Sequence, residues 1–368
     1  MSTKKPTSNL VLLFEDDDKH ANKLTLAITQ ALSPSNKFER FLPSITPTSG
    51  AYEDRLYEEL KSTKYLGLTL IVCDRDLSQI KTYTGLSEAI VSKVADRLGI
   101  PICLYARGLN DDSVLERQRE WGDGRIVLDC KKPAEMATKI ELLANGFAQV
   151  KELVTGILVM RGKNKLQSPA AVVASVIDRQ DSTDKIGLYI SGDQKMISEI
   201  LPYVHNSDKK GLKLRLPTLV GYWIYDSILR YPGLLVNKIA IASYLNIAVT
   251  DFEKNSDVQK LFAKALYKGP FADEKNPLWW RNDLDDILQN GECNDGQEYV
   301  QKKLHKTVKP CMCSVDKKKR AGWYCMVTKK PVSLESSKGN ITWFPRGADL
   351  ARISTAVYDD IGPWLGLY

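Results

Sequence analysis

The first 150 residues alternate between short apolar runs and longer segments in which apolar residues recur at helical spacing. A continuous apolar run, such as residues 10–14 or 68–73, is typical of a strand that is buried on both faces of a sheet. Apolar residues three and four positions apart predict amphipathic helices between these runs. The predicted strands cover residues 10–14, 38–42, 68–73, 102–105 and 126–128, and the predicted helices cover residues 18–32, 52–60, 85–98 and 133–147.

Strands that alternate with helices predict a parallel sheet, because each helix returns the chain to start a parallel neighbour. Right-handed crossovers place the helices on both faces of that sheet. The sequence therefore predicts an α/β fold whose N-terminal part is a doubly wound, five-stranded parallel sheet of the flavodoxin type, followed by a mainly helical C-terminal part. Ligands of such sheets bind at the carboxyl ends of the strands, so the residues that follow the strands are candidate site residues.

Charged residues follow three of the predicted strands. Glu15 and Asp16 come after the first strand, Asp74 after the third, and Lys132 after the fifth. These strand ends converge in the predicted fold, and carboxylates that share a site repel one another unless a cation neutralises them. Mg²⁺ prefers such oxygen ligands, and a lysine beside them can bind an added phosphoryl group. At any one strand end, a solvated loop residue is the alternative, but the convergence of three ends favours a Mg²⁺ site.

Four stretches of this part of the chain form a set: VLLFEDD, LIVCD, PICLYAR and DCKKPAEMATKIELLANGF. Together they resemble the receiver domain of two-component response regulators, over about residues 8–148. Position by position, the resemblance implies that Glu15 and Asp16 are the acidic metal-binding pair and that Asp74 accepts the phosphoryl group. It also implies that Lys132 is the lysine before the proline, that Mg²⁺ is the cofactor, and that a histidine kinase is the phosphodonor.

Two features depart from the receiver pattern. Ala106 stands where the family has a Ser or Thr at the end of the fourth strand, and alanine has no hydroxyl to bind a phosphoryl oxygen. The stretch between the first and third strands, which includes LPSITPTSG, is also longer than usual. Two alternatives follow: a receiver phosphorylated on Asp74, or an atypical receiver that binds metal without phosphorylation or serves only for docking. Beyond phosphoryl transfer to Asp74, we expect no enzymatic activity. The alternative is a catalytic output domain whose active site is assembled from distant residues and leaves no local motif.

The second part of the chain has a strongly helical pattern between residues 216 and 272. The predicted helices cover residues 216–233, 234–247 and 248–269. Short helices joined by tight turns suit a helix-turn-helix, and the stretch PFADEKNPLWW suits the wing of a winged helix. A three-helix bundle that binds another protein is the alternative. We expect three divisions of the chain: a receiver-like domain (1–150), a helical domain (151–290) and a basic, cysteine-containing segment (291–368).

The formal net charge of +7 belongs to the second part of the chain. Residues 1–150 carry a net charge of −1, whereas residues 301–330 alone carry +9. Lysines that neutralise phosphates release counterions, and aromatic side chains stack on unpaired bases, so this segment predicts binding to nucleic acid. The candidate contact residues are Lys302, Lys303, Lys306, Lys309, Lys317, Lys318, Lys319, Arg320 and Trp323. An acidic protein partner and a solvated loop without a partner are the alternatives.

Four of the seven cysteines lie close to this basic segment. They are Cys293, Cys311, Cys313 and Cys325, with His305 among them. Four thiols and one imidazole within 33 residues could form a tetrahedral Zn²⁺ site, although the spacing lacks the common Cys-x-x-Cys pairs. Reduced, buried thiols are the alternative. The other three cysteines, Cys73, Cys103 and Cys130, lie in or just after predicted strands, where we expect small core residues.

No apolar run reaches 18 residues, and the N-terminal stretch turns acidic after five apolar residues, which predicts neither a transmembrane helix nor a signal peptide. An odd number of cysteines without a secretory signal indicates a reducing cytoplasm. We therefore expect a cytoplasmic, bacterial signalling protein that is a homo-oligomer or part of a complex and does not contact membranes. In it, the receiver-like domain controls a basic output module that binds nucleic acid. The alternative is a non-enzymatic adaptor of a multi-protein assembly, such as a defence system, that uses a degenerate receiver for docking.

Overall fold

The computed structural model describes residues 9–42, 51–77, 85–105, 126–128, 132–160, 168–191, 197–198, 200, 209–342 and 344–361. Ala106, Cys130 and residues 43–50 lie outside these ranges. The chain divides into two compact units: residues 1–167 with 199–222, and residues 168–198 with 223–368. Each unit is therefore discontinuous in sequence.

The first unit contains a five-stranded, all-parallel sheet with helices, which confirms the predicted α/β fold. Its strands are β1 (Asn9–Phe14), β2 (Asn36–Arg40), β3 (Leu68–Asp74), β4 (Ile102–Tyr105) and β5 (Ile126–Leu128). The order β2-β1-β3-β4-β5 is that of the flavodoxin type. In the register, Phe14 lies beside Cys73, and Asp74 lies beside Tyr105. The carboxyl ends of β1, β3 and β4 therefore meet at one edge of the sheet.

Helices follow the strands, as the pattern predicts. The described α-helices are α1 (Asp18–Ala31), α2 (Tyr52–Lys61), α3 (Glu88–Leu98), α4 (Pro133–Met160), α5 (Pro169–Val176), α6 (Thr183–Ile190), α7 (Lys209–Trp223), α8 (Lys238–Tyr244), α9 (Val249–Lys254), α10 (Ser256–Leu261), α11 (Arg281–Asn290), α12 (Gly296–Leu304) and α13 (Thr355–Ile361). α1 packs beside α4, and α2 beside α3. α4 continues past the predicted end at residue 147, because the buried residues Val150 and Val154 extend its apolar face. In the parts of the chain that the structure describes, no helix combines the length and apolar character needed to cross a membrane.

The centre of the first unit is β3, which is buried along its whole length. Its residues Ile71 and Cys73 pack with Leu12 and Phe14 of β1 in one apolar core. Cys73 is fully buried there, and Cys103 is fully buried in β4, as expected of small core residues. The only charged residue of β3 is Asp74, which lies at the carboxyl end of the strand.

Up to residue 222, α7 belongs to the first unit, and it packs against the start of β4. The Tyr222 hydroxyl accepts a hydrogen bond from the Ile102 N–H at 2.6 Å and donates one to the Ile102 carbonyl oxygen at 3.0 Å. Thr218 donates to the carbonyl oxygen of Gly99 at 2.5 Å. Gly99 ends α3 with a positive φ of 64°, and a Cβ there would lie 2.2 Å from the carbonyl oxygen of Leu214. Both the backbone conformation and the close approach of α7 therefore require glycine.

The second unit contains strands as well as helices. Its strands are β6 (Leu235–Asn237), β7 (Leu278–Trp280), β8 (Trp323–Cys325), β9 (Pro331–Val332), β10 (Ser337–Lys338) and β11 (Ala351–Ser354). β6 and β7 form a two-stranded antiparallel sheet, and the other four form a sheet in the order β10-β11-β8-β9. The basic, cysteine-containing segment therefore folds around a small sheet of its own.

The predicted helix over residues 234–247 is wrong in its first part. Residues 235–237 form β6, whose partner β7 lies about 40 positions later in the chain, and a local pattern cannot show such a pairing. The helix begins only after Asn237, whose side chain accepts the N–H groups of Ile239 and Ala240 and so caps α8.

The two neighbouring helix predictions also differ from the structure. The helix predicted over residues 248–269 is divided into α9, α10 and a short 3₁₀ turn, because Asn255 takes up an extended backbone and caps α10 through its side chain. The helix predicted over residues 216–233 begins earlier, at Lys209, and continues into a π-helical turn over Ile224–Ile228. Assignment of these elements to a winged helix stays a prediction.

Two helical glycines of the first unit give a matched pair of substitutions. A Cβ at Gly221 would lie 2.5 Å from Cε1 of Phe147, whereas a Cβ at Gly156 would meet open space. We expect Gly221→Ala to lower the free energy of unfolding by about 1–3 kcal/mol through overpacking. We expect Gly156→Ala to raise it by up to about 1 kcal/mol through helix propensity. Urea unfolding followed by circular dichroism measures both, and equal effects would contradict the close packing of α7 on α4.

Candidate metal centre

The acidic residues predicted at the strand ends lie together in the structure. Glu15 and Asp16 directly follow β1, and Asp74 is the last residue of β3. Because β1 and β3 are neighbouring parallel strands, their carboxyl ends bring the three side chains to the same edge of the sheet. Their relative exposures are 0%, 0% and 2%. The first unit thus buries three carboxyl groups at the place where flavodoxin-type sheets bind ligands.

The separation of the three groups suits a cation. One carboxylate oxygen from each of Glu15, Asp16 and Asp74 lies within 4.8 Å of the others. No other three His, Cys, Asp or Glu side chains of the described ranges come this close through their ligand atoms. Buried anions at such separations repel one another, and an opposite charge relieves that repulsion. Since the donors are all carboxylate oxygens, the residues fit a hard divalent ion such as Mg²⁺.

The Glu15 carboxylate is held at both of its oxygens. Oε1 accepts a hydrogen bond from the Asp17 N–H at 2.9 Å, and Oε2 accepts one from the Tyr105 hydroxyl at 2.6 Å. Nε2 of His20 lies 3.8 Å from the same Oε2. Arg40 donates two hydrogen bonds to the main-chain carbonyl oxygen of Glu15, at 3.1 and 2.8 Å. These contacts fix both the side chain and the main chain of Glu15 at the end of β1.

Two groups next to the carboxylates, the Tyr105 phenol and the Cys73 thiol, stay neutral. Burial raises the pKa of the Tyr105 phenol, and the charge of Glu15 raises it further, so the tyrosine keeps its proton and acts as a donor. Burial also raises the pKa of Cys73 well above its ordinary value, and nearby carboxylates add to that shift. The Asp76 N–H donates to Oδ1 of Asp74 at 3.2 Å. The site therefore combines carboxylates with neutral hydrogen-bond donors, and the adjacent thiol is not a thiolate.

Lys132 does not share these contacts. Its side chain is 78% exposed, and its Nζ lies 3.5 Å from Oε1 of Glu135, which is in the first turn of α4. The structure thus brings together the three predicted acids and pairs the predicted counter-charge with another residue. Ala106, the position that departs from the receiver pattern, lies outside the described residues.

The sequence did not indicate the roles of Tyr105, Arg40 and His20. Tyr105 ends the fourth predicted strand, and this position was the available signal. Arg40 lies in the middle of the second predicted strand (38–42), whereas the observed β2 ends at this residue. Their contacts with Glu15 depend on the order of the strands in the sheet, which places β2 and β3 on either side of β1. A local sequence pattern does not show the order of the strands, so it could not show these contacts.

The four C-terminal cysteines are not gathered into one site. Cys313 and Cys325 belong to one small buried cluster, Cys311 is buried, and Cys293 is partly exposed. No three of these side chains, with or without His305, have ligand atoms within 4.8 Å of one another in the described ranges. The Zn²⁺ site stays a prediction, and the described residues provide no ligand group for it.

The two clustered sulfur atoms accept hydrogen bonds from the backbone. Burial alone would raise the pKa of Cys313, but three backbone N–H groups, including that of Ser333 at 3.3 Å, donate to its sulfur and lower the pKa below its ordinary value. The sulfur of Cys325 accepts the N–H groups of Thr328 at 3.4 Å and Ser354 at 3.2 Å. These hydrogen bonds favour the thiolate form of Cys313 and link both sulfur atoms to the backbone around the small sheet.

Residues 311–321 form a hairpin, which we call the lysine hairpin. The Cys313 N–H donates to the Lys319 carbonyl oxygen at 2.9 Å, and the Ala321 N–H donates to the Cys311 carbonyl oxygen at 2.8 Å. At the tip, Oδ1 of Asp316 accepts a backbone N–H at 3.0 Å. Asp316, the only acidic residue between positions 301 and 330, is therefore used to form the turn.

The predicted nucleic-acid residues are mostly exposed. Trp323 is half-buried, and the exposed cations are Lys302, Lys303, Lys306, Lys309, Lys317, Lys318, Lys319 and Arg320. Some of them have acidic neighbours, as Lys306 does, with its Nζ 3.3 Å from Oδ2 of Asp257. Within the described ranges, the three lysines at 317–319 form no ion pair shorter than 4.0 Å. The tip of the lysine hairpin thus presents three adjacent positive charges, of which that of Lys319 also acts on the Glu335 carboxylate.

Comparison with known proteins does not assign the chain to a family. No protein-family model matches the chain, and no curated protein matches it. The strand order agrees with a receiver at the level of the flavodoxin-like fold, and the finer assignment is a proposal. Functional conclusions therefore depend on the fold and on the geometry of the described side chains.

Replacing Asp74 with Asn removes one of three buried negative charges. In the presence of a chelator, we expect Asp74→Asn to raise the free energy of unfolding by between about 1 and 4 kcal/mol, the scale of repulsion between unit charges about 4 Å apart. Urea unfolding followed by circular dichroism measures the change. Glu58→Gln, which removes a charge from the surface of the same unit, is the control and should change stability by less than about 0.5 kcal/mol. An unchanged or less stable Asp74→Asn protein would contradict mutual repulsion in the site.

Proposed function

We propose that the protein is a receiver-like signalling protein. Its first unit takes up a phosphoryl group on Asp74 with the help of a divalent cation, and its second unit binds nucleic acid. The observation that carries this proposal is the buried group of Glu15, Asp16 and Asp74 at the carboxyl edge of a five-stranded parallel sheet. Three buried carboxylates destabilise a fold unless a cation or a proton compensates them, so their joint burial supports cation binding.

The residues of the site suit phosphoryl transfer to a carboxylate. An oxygen of Asp74 attacks the phosphorus atom of the donor, and the bond between phosphorus and the donor's leaving group breaks, with its electron pair leaving on the donor. Glu15 and Asp16, together with Asp74, would hold the cation, and the Asp76 N–H orients the Asp74 carboxylate. Mg²⁺ bound there would neutralise the negative charge that the phosphoryl group brings. A histidine kinase is the proposed donor.

A docking role without phosphorylation is the second candidate. The sequence has Ala106 in place of a hydroxyl-bearing residue, and Lys132 is exposed and paired with Glu135. Both observations leave fewer side chains to bind the oxygens of a phosphoryl group. They therefore favour an adaptor that binds a partner protein through the first unit. In that case the three acids form a cation site that stabilises the domain.

The proposed nucleic-acid contact lies in the lysine hairpin. Three adjacent exposed lysines at its tip can neutralise phosphates, and Trp323, in the strand that follows, offers an aromatic face. The α8–α9 pair has the order of a helix-turn-helix, but α9 carries Asp251 and Glu253, which repel phosphates. We therefore assign the contact to the hairpin and to phosphate groups, and expect weak dependence on base sequence.

Acetyl phosphate is a small donor that tests the first unit. Incubation of the full-length protein with acetyl phosphate and Mg²⁺ should add one phosphoryl group per chain, detected as an increase in intact mass. Asp74→Asn should abolish the increase because it removes the nucleophilic oxygen, and the surface variant Glu58→Gln should retain it. A wild-type protein that Mg²⁺ stabilises but acetyl phosphate does not modify would contradict phosphorylation and favour the docking role.

Salt dependence tests the second unit. We expect replacement of Lys317, Lys318 and Lys319 with Ala to weaken nucleic-acid binding and to reduce the slope of log K against log salt by up to about 2.7, at about 0.9 for each lost phosphate contact with duplex DNA. Fluorescence anisotropy with labelled single- and double-stranded DNA and RNA measures the slope.

The control for this substitution removes the same charge from elsewhere on the unit. Lys264, Lys268 and Lys275 are exposed, and their replacement with Ala should leave the slope at the wild-type value. Equal slopes for the two triple variants would exclude the lysine hairpin as the contact. No binding by the wild type at low salt would favour the adaptor role.

A further inference from the structure

We propose that Tyr105 is a positioning residue of the cation site. Its hydroxyl holds the Glu15 carboxylate in the orientation in which Glu15 meets Asp16 and Asp74. This inference rests on the proposed binding of a cation by those three carboxylates. It extends that proposal by identifying what keeps the ligand group assembled.

The side chain of Tyr105 reaches across the sheet edge. Tyr105 ends β4 and Glu15 follows β1, with β3 between the two strands. Neighbouring strands are about 4.8 Å apart, so the side chains of the two residues must cover roughly two such spacings. Tyr105 does so over the end of the strand that carries Asp74, its partner in the register. Its long, rigid side chain explains how a residue two strands away can contact Glu15.

The tyrosine hydroxyl and one backbone N–H each hold one oxygen of Glu15. Tyr105 Oη donates to Oε2 at 2.6 Å, and the Asp17 N–H donates to Oε1 at 2.9 Å. Each carboxylate oxygen has two acceptor positions, so both oxygens keep acceptor capacity for a cation. With both oxygens held, the carboxylate does not rotate about its last bond. One of its oxygens therefore stays within 4.8 Å of an oxygen of Asp16 and of Asp74.

The hydrogen bond joins a neutral donor to an anion away from water. Tyr105 and Glu15 are 1% and 0% exposed. Because the phenol keeps its proton, the bond retains the same polarity at neutral pH. The His20 ring lies beside the tyrosine ring, with centroids 6.0 Å apart, and supports its orientation. Partners that orient a metal ligand in this way commonly change metal affinity by about 10–100-fold when they are lost.

The test is the Mg²⁺ dependence of the melting temperature of the full-length protein, which yields a Kd for weak as well as strong binding. Tyr105→Phe keeps the ring and removes only the hydroxyl, and we expect it to raise the Kd for Mg²⁺ by about 10–100-fold. Tyr65→Phe removes a hydroxyl from another buried tyrosine of the first unit and should keep the wild-type Kd. Circular dichroism in chelator verifies that each variant is folded.

A double-mutant cycle distinguishes positioning from a general effect on the fold. In a Glu15→Gln background, the added Tyr105→Phe substitution should change the Kd by less than about threefold, because its effect acts through the Glu15 carboxylate. A wild-type Kd in Tyr105→Phe, or an equal loss in both backgrounds, would overturn the positioning role and leave the cation site standing.

Two further outcomes are also decisive. If Mg²⁺ does not shift the melting temperature of the wild type, the cation site itself is overturned. If Tyr105→Phe does not fold, Glu15→Asp replaces it, since it keeps the charge but withdraws the carboxylate from the hydroxyl. That variant should show the same rise in Kd of about 10–100-fold, and a wild-type Kd would overturn the positioning role.

Discussion

Electrostatic repulsion among three buried carboxylates is the constraint on which the first unit depends. Glu15, Asp16 and Asp74 are removed from water at the end of an apolar sheet, where each negative charge raises the cost of the others. The surrounding groups reduce that cost: two donors hold Glu15, and a backbone N–H holds Asp74. The least favourable electrostatic interactions of the first unit therefore lie at this edge of the sheet. A cation that binds there relieves the repulsion, and this relief adds to its binding free energy.

The apolar runs were sufficient to predict the sheet, because buried parallel strands such as β3 carry their signal in consecutive residues. They were sufficient for the acidic site too, since the topology brings the ends of β1 and β3 together. Two kinds of prediction failed. β6 was predicted as helix because its partner β7 lies far away in sequence, and their pairing leaves no local pattern. The helix predicted over residues 248–269 is divided at Asn255, although the apolar periodicity continues through this residue. Tyr105 was missed for the same reason as β6, because its contact with Glu15 passes over β3, the strand between β4 and β1.

The two proposed sites differ in the source of the positive charge that attracts a phosphate group. In the first unit the three buried side chains of the proposed cation site are all carboxylates, so a bound cation would supply the attraction for a phosphoryl group there. In the second unit the lysine hairpin supplies the positive charge itself, on a tip whose single acidic residue is occupied by the turn. Salt therefore affects them differently: exposed lysines are screened, whereas a buried, cation-filled site is shielded from bulk ions.

The contact of Tyr222 with Ile102 has a consequence for biosynthesis. These residues are 120 positions apart, and the chain between them includes α5 and α6 of the second unit. During synthesis the strands β1 to β5 leave the ribosome well before α7 does, so the start of β4 lacks its covering helix for that interval. The first unit therefore reaches its final form only after residues 168–198 of the second unit have been synthesised.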